Sequence, residues 1–179
     1  MKLLLHICCA PCLIYPYRVL KDQGMQFQGI YYNPNIHPYS EYEKRRSTLQ
    51  QYASDLNFHV FFPDDYPMED FLRGTVFREG ERCIFCYHQR LKHVAIFAKQ
   101  NGFTAFSTTL LYSKYQRHEI IREIGINLAK EYGIRFHYED FRTGWKEGVE
   151  ISKKIGLYRQ QYCGCIYSEK DRFFGSSKK

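Results

Sequence analysis

The sequence predicts an α/β fold, a five-stranded parallel, doubly wound sheet with helices on both faces. Three observations predict it. Short strand-like apolar runs alternate with longer segments of helical period. Four helical segments stop at a glycine, Gly24, Gly102, Gly133 or Gly156, which can take the left-handed conformation that closes a helix. Strands that alternate with helices in this way are joined by right-handed crossovers, which make the sheet parallel.

The first strand is the apolar run 3–7, ended by Cys8 and Cys9. Pro11 suits a first helical turn and opens a helix over about 11–23, followed by a strand over 27–32. Tyr42, Leu49, Tyr52, Ala53 and Leu56 recur at helical spacing, which predicts a helix over 39–56, leading to a strand over 59–62. A third helix over 87–101 sets Leu91, Val94, Ala95 and Ala98 on one face before a strand over 103–107. A fourth, over 119–132, turns Ile121, Ile124 and Leu128 inward before a strand over 134–138, and a last helix covers 145–155. The strand order 3-2-1-4-5, that of Rossmann-like sheets of the adenine-nucleotide-hydrolase (HUP-like) type, puts the first strand at the centre. Its carboxyl end then lies beside the topological switch point, where ligands bind. Asn33, Asn35, Asp64, Asp65, Ser107, Thr109, Glu139 and Asp140 are expected on the same rim.

The 179 residues are enough for one domain with a real core, so 1–179 reads as a single α/β domain. Pro67, Gly74 and Gly80 among charges mark an inserted, cysteine-bearing segment at about 64–87, and the tail 175–179 reads as frayed. With 26 Lys and Arg against 19 Asp and Glu, the formal charge of +7 suits a polyanionic partner such as RNA as well as it suits solubility. Aromatic residues, 17% of the chain, suit base stacking or an ordinary core. No stretch approaches the about 18 apolar residues of a membrane span. The opening apolar run is too short for a signal peptide, so a cytoplasmic protein without membrane contact is expected.

In that compartment, clustered cysteines point to metal or redox chemistry. Cys8, Cys9 and Cys12 sit at the first strand-to-helix corner, where a helix N-terminus favours thiolates. Cys83 and Cys86 form a C-x-x-C whose sulfurs can share one metal. With Cys8 and Cys9 they make four thiolates, which suit tetrahedral zinc or a [4Fe-4S] cluster; adjacent cysteines are awkward for a zinc ribbon and favour the cluster. Cys12 is left over as a substrate-facing thiolate, a ligand to a second metal, or a core cysteine. Cys163-Gly164-Cys165 can close a small, strained, redox-active disulfide, or hold a metal. His118-Glu119-Ile120-Ile121-Arg122 has Arg122 where a zincin helix needs its second histidine, and neither a P-loop nor a G-x-G-x-x-G occurs. Lys44, Arg45 and Arg46 read as a solvated helix face, whereas Arg82, Arg90, Lys114, Arg117, Arg142 and Arg159 read as candidates for phosphate contact.

Five stretches together resemble the cobalamin-independent epoxyqueuosine reductases of the QueH type: His6-Ile7-Cys8-Cys9-Ala10-Pro11-Cys12, Glu81-Arg82-Cys83-Ile84-Phe85-Cys86-Tyr87, Ser107-Thr108-Thr109-Leu110-Leu111, Glu150-Ile151-Ser152 with Gly156-Leu157-Tyr158-Arg159-Gln160, and Gln161-Tyr162-Cys163-Gly164-Cys165. Lys114 departs from the proline expected there. The resemblance implies a [4Fe-4S] cluster on Cys8, Cys9, Cys83 and Cys86 and a redox-active disulfide of Cys163 and Cys165. It also implies the reduction of epoxyqueuosine to queuosine at the wobble position of a tRNA. Deoxygenating an epoxide takes two electrons and two protons, so a low-potential electron donor is required. A second store is expected as well, either the Cys163/Cys165 dithiol or a mononuclear iron near Cys12 acting as a Lewis acid. His6, Asp64, Asp65, Tyr112, Glu139 and Asp140 are the candidate proton donors. The rival readings are a non-catalytic RNA-binding module with a structural four-cysteine zinc site and a thiol-dependent sulfur transferase.

Overall fold

The computed structural model describes residues 1–175. Of the tail expected to fray, 176–179 lie outside the described residues. Strand β1 (Lys2–His6) is the centre of the sheet, because Leu3, Leu4 and Leu5 are apolar on both faces and all three are fully buried. It pairs in parallel with β2 (Gln26–Ile30) on one side and with β4 (Ala105–Thr108) on the other. The edges are β3 (Val60–Phe61) and β5 (Arg135–Phe136), completing the expected order β3-β2-β1-β4-β5. Both edge strands are shorter than their apolar runs, since each is paired on one side only.

The helices α1 (Ala10–Asp22), α2 (Tyr39–Asp55), α3 (Met68–Thr75), α4 (Arg82–Gln100), α5 (His118–Tyr132), α6 (Trp145–Lys154) and α7 (Ile166–Lys170) surround the sheet. Gly24, Gly102, Gly133 and Gly156 have the positive φ expected of them, and Asn57 (φ 50°) plays that part after α2. Leu91, Val94, Ala95 and Ala98 all lie in the core, and α4 packs against α5 as α1 does against α6.

Two features depart from expectation. A 3-10 turn, Glu79–Glu81, runs directly into α4, so this helix starts five residues early and carries both Cys83 and Cys86. The inserted segment is itself structured by α3, whose Phe71 is fully buried against Cys86 and Cys165. After Cys165 come α7 and a π-helical turn, Asp171–Gly175, too short to leave a periodic signal.

Candidate active site

Beyond β1 the chain turns through Cys8 and Cys9 into α1, and Cys12 follows in the helix's first turn. The three Sγ atoms lie within 4.8 Å of one another. Cys9 and Cys12 are 2.9 Å apart and Cys8 and Cys9 3.9 Å. Thr109, just past β4, accepts from the Cys8 backbone N–H at 3.1 Å and donates its hydroxyl to Cys8 Sγ at 3.3 Å. Gln160 donates to Cys9 Sγ at 3.1 Å. Hydrogen bonds from Cys12 and Cys9, helped by Arg90 and Thr109, hold the Cys8 thiol well below its ordinary pKa against the cost of burial. Burial pushes Cys9 up to about 12, and hydrogen bonding to Cys8 raises Cys12 well above the usual thiol range. The three thiols are close enough to titrate as a coupled set.

Cys83 and Cys86 occupy the start of α4 and are not part of that 4.8 Å group. Burial raises both thiols, and each is raised further by the neighbouring Cys163 and Cys165. Arg90 lies one turn on, its guanidinium 3.7 Å from Cys86 Sγ and 2.6 Å from Asn33 Oδ1, while Asn33 donates to the Ile7 carbonyl at 3.0 Å. Arg90 thus touches Cys86 and lines one cavity with Cys8 and Cys163.

The segment holding Cys163 and Cys165 is strapped to the chain between β2 and α2. The Gly164 carbonyl accepts from His37 N–H at 2.8 Å, and Arg45 donates to the carbonyls of Cys163 (2.8 Å) and Tyr162 (3.1 Å). A Cβ at Gly164 would lie 3.0 Å from Asn35 Nδ2 and 3.2 Å from Ile36 Cγ1, so a glycine suits this close approach. Both thiols are free; Cys163 accepts from Gln116 at 3.4 Å, and Cys165 caps α7 by accepting from Ser168 N–H at 3.4 Å.

Cys8, Cys12 and Cys163 open onto one cavity of about 860 Å³. Its wall carries Arg45, Arg90, Arg159 and Arg172, against the single carboxylate of Asp171, which Arg82 neutralises at 2.6 Å. Tyr112 is the one expected proton donor in the wall; its hydroxyl donates to the Trp145 carbonyl at 3.1 Å, and burial raises its pKa.

Several expected roles are not those of the structure. His6 is buried and bonded to Thr108 and the Tyr32 carbonyl, and burial lowers its pKa to about 3, leaving it neutral with its ring N–H held by that carbonyl. Asp140 is bound by Arg142, which lowers it to about 2, and neither it, Asp64, Asp65 nor Glu139 lines the cavity. Arg90 is buried among the cysteines instead of facing phosphate, Arg82 and Arg142 are spent on carboxylates, and Arg45 is buried, not solvated. Gln116, the site role of Gln160 and the strap through Arg45 were not anticipated from the sequence.

A set of sulfur donors suits zinc or an iron–sulfur centre. The corner fits such a group: three convergent sulfurs beside a buried arginine whose Nε lacks a hydrogen-bond partner. Hydrogen bonds donated to the sulfurs of Cys8, Cys9, Cys86, Cys163 and Cys165 are the contacts by which a protein tunes a thiolate-held centre.

The fold is shared with a crystal structure described as a predicted subunit of tRNA methyltransferase from Methanocaldococcus jannaschii. The two superpose with a TM-score of 0.59 at 14% identity, over 86% of this chain and 74% of that one. Three proteins called epoxyqueuosine reductase QueH are much nearer in sequence. Those of Dehalococcoides mccartyi (37% identical, 96% of this chain and 94% of that one), Thermotoga maritima (36%, 94% and 91%) and Acinetobacter baylyi (36%, 95% and 81%) align over nearly the whole chain. The family model described as epoxyqueuosine reductase QueH matches residues 3–171, a span that contains every cysteine of the site, and the chain belongs to that family.

Proposed function

We propose that this protein reduces epoxyqueuosine to queuosine in tRNA, with Cys8, Cys9, Cys83 and Cys86 holding a [4Fe-4S] cluster and Cys163 and Cys165 acting as a redox pair. The observation that carries this reading is the cavity into which both the corner cysteines and Cys163 open. Its size falls within the range of about 300–1,000 Å³ typical of small-ligand sites, enough to admit one splayed-out nucleoside. Arg159 and Arg172 in its wall, with Lys114 close to the rings of Tyr115 and Trp145 at 5.4 and 5.7 Å, offer a polyanion both charge and stacking surface.

When bound, the cluster would supply electrons one at a time. The net reaction needs two: both C–O bonds of the epoxide break, a C=C bond forms, and the oxygen leaves as water with two protons. Cys163 and Cys165 supply that balance, each thiol releasing one electron and one proton as an S–S bond forms between them. A low-potential external donor then restores the dithiol. Tyr112 holds a phenolic proton in the cavity wall, and Gln160 beside Cys9 orients the corner. Cys12 completes the sulfur trio and is the ligand proposed for a second, mononuclear iron.

No helix among the described residues is long and apolar enough to cross a membrane, which accords with a cytoplasmic site of action on tRNA. The test is mass spectrometry of epoxyqueuosine-containing tRNA after anaerobic incubation with the protein and a low-potential reductant. Loss of one oxygen is expected. Unchanged substrate, with zinc alone at one per chain, would instead identify an RNA-binding module, and incorporation of sulfur a transferase.

A further inference from the structure

Arg90 is among the largest fully buried side chains of the protein, 2% exposed, on the apolar face of α4 between Tyr87 and Val94. No ion pair among the described residues includes it. One amine donates to Asn33 Oδ1, a neutral amide, another to Cys86 Sγ, and Nε has no partner at all. A buried cation without an anion is among the costliest arrangements a fold can contain. Arg45, the other buried arginine beside the cysteines, has Glu41 at 2.7 Å. Arg90 touches Cys86 Sγ at 3.7 Å and lines the same cavity as Cys8 and Cys163, so sulfurs surround it where an acid would be expected.

We infer that Arg90 is the counter-ion built into the fold for the cysteine-held centre, a positioning residue that keeps the centre loaded and raises its reduction potential. The inference rests on the metal-binding part of the reading above. Thiolate-ligated centres are anionic, and each added electron makes them more so. A fixed cation alongside stabilises the loaded over the empty state and the reduced over the oxidised state. The placement is economical, because the same side chain reaches across to Asn33 and so ties α4 to the segment after β2, while Asn33 reaches the Ile7 carbonyl beside the corner.

The test uses the full-length protein, reconstituted with iron and sulfide without oxygen, in three variants. Arg90→Met removes the charge and keeps the bulk. Arg90→Lys keeps the charge. Asn33→Asp leaves the arginine in place and gives it a carboxylate at the position of the present 2.6 Å contact. Two quantities are read besides activity: the rate at which a chelator strips the metal, and the midpoint potential from a dye-mediated titration. Arg90→Met and Asn33→Asp are expected to lose metal about tenfold faster. At a fixed poise their ratio of reduced to oxidised centre is expected to fall about tenfold, a downward shift of about 59 mV for one electron. Arg90→Lys should stay close to the wild type in both.

Equal metal retention and equal midpoints in all four proteins would overturn the inference. So would a loss in Arg90→Lys as large as in Arg90→Met, which would mark a packing role. If Arg90→Met does not fold, Asn33→Asp decides by itself. Zinc found in place of iron would sink the redox reading, and the chelator rates would still judge Arg90.

Discussion

Arg45→Met should loosen the Cys163–Cys165 strap without dismantling the sheet. The guanidinium is 2% exposed, pairs with Glu41 at 2.7 Å, and donates to two carbonyls at 2.8 and 3.1 Å. Charge-assisted hydrogen bonds are each worth about 1.5–3 kcal/mol, and breaking a buried pair costs about 3–5 kcal/mol because the remaining partner is left uncompensated. A local opening made easier by about 3 kcal/mol raises the open population by a factor of about a hundred or more. The assay is the alkylation rate of the cysteines in the metal-free protein, read by peptide mass spectrometry. Where opening and reclosing are fast, this rate follows the open population. Cys165, 8% exposed in the strap, should react about a hundredfold faster relative to Cys12, 6% exposed on α1, which serves as the internal reference. An unchanged ratio would refute the reasoning. A parallel rise at both cysteines would show that Arg45 supports the whole domain instead of the strap.

Alanine at Cys8, Cys9, Cys83 or Cys86 should abolish the broad visible absorbance of the reconstituted protein, while Cys12→Ala keeps it; the opposite pattern for Cys12 and Cys83 would move the cluster onto the corner trio. Cys163→Ser and Cys165→Ser should keep the absorbance and lose multiple turnover, and normal turnover in both would make the dithiol dispensable. In Gly148→Ala the new Cβ would overlap the Tyr112 hydroxyl, and the overpacking cost of about 1–3 kcal/mol is partly offset by about 1 kcal/mol of helix propensity. Its melting temperature should therefore fall by only a few degrees while kcat drops; unchanged turnover in both Gly148→Ala and Tyr112→Phe would remove Tyr112 from the chemistry. Burial, then Arg142 and Arg122, lower the pKa of His118 against the opposing pull of Asp140 and Glu119. The unfolded chain, with a histidine near 6.5, then binds the proton first, so this stabilisation is complete above pH 6.5 and declines as the pH falls below it. Denaturant titrations at pH 5 and 8 should differ less in His118→Gln than in the wild type, and an equal difference would contradict the assignment.

The strand order was legible because a short apolar run such as 3–7 suits a buried central strand, and the closing glycines punctuate the helices around it. The helix within the insertion was not, since α3 is short, begins just after Pro67 and contains Gly74, so periodicity has no room to show. Arg45 carried a usable signal that was overlooked. It recurs with Tyr42, Leu49 and Ala53 at helical spacing, and those four are the buried residues of α2, but the flanking Lys44 and Arg46 made it read as part of a charge run. Arg90 follows the same logic, four residues after Cys86 and four before Val94 on the buried stripe of α4. A charged residue on an apolar stripe was the clue in both cases. What sequence could not supply was the gathering of the corner trio to within 4.8 Å, which depends on the exit angle from β1 into α1.

Cys8 and Cys9 hang from the middle strand of the sheet, the part of such a fold that opens last, whereas Cys163 and Cys165 belong to a short terminal segment pinned by a handful of polar contacts. The sulfurs thus have unequal mechanical backing. Heat or denaturant should free the C-terminal pair well before the N-terminal ones, so a partly opened molecule would expose Cys163 and Cys165 to solvent while Cys8 and Cys9 stay packed.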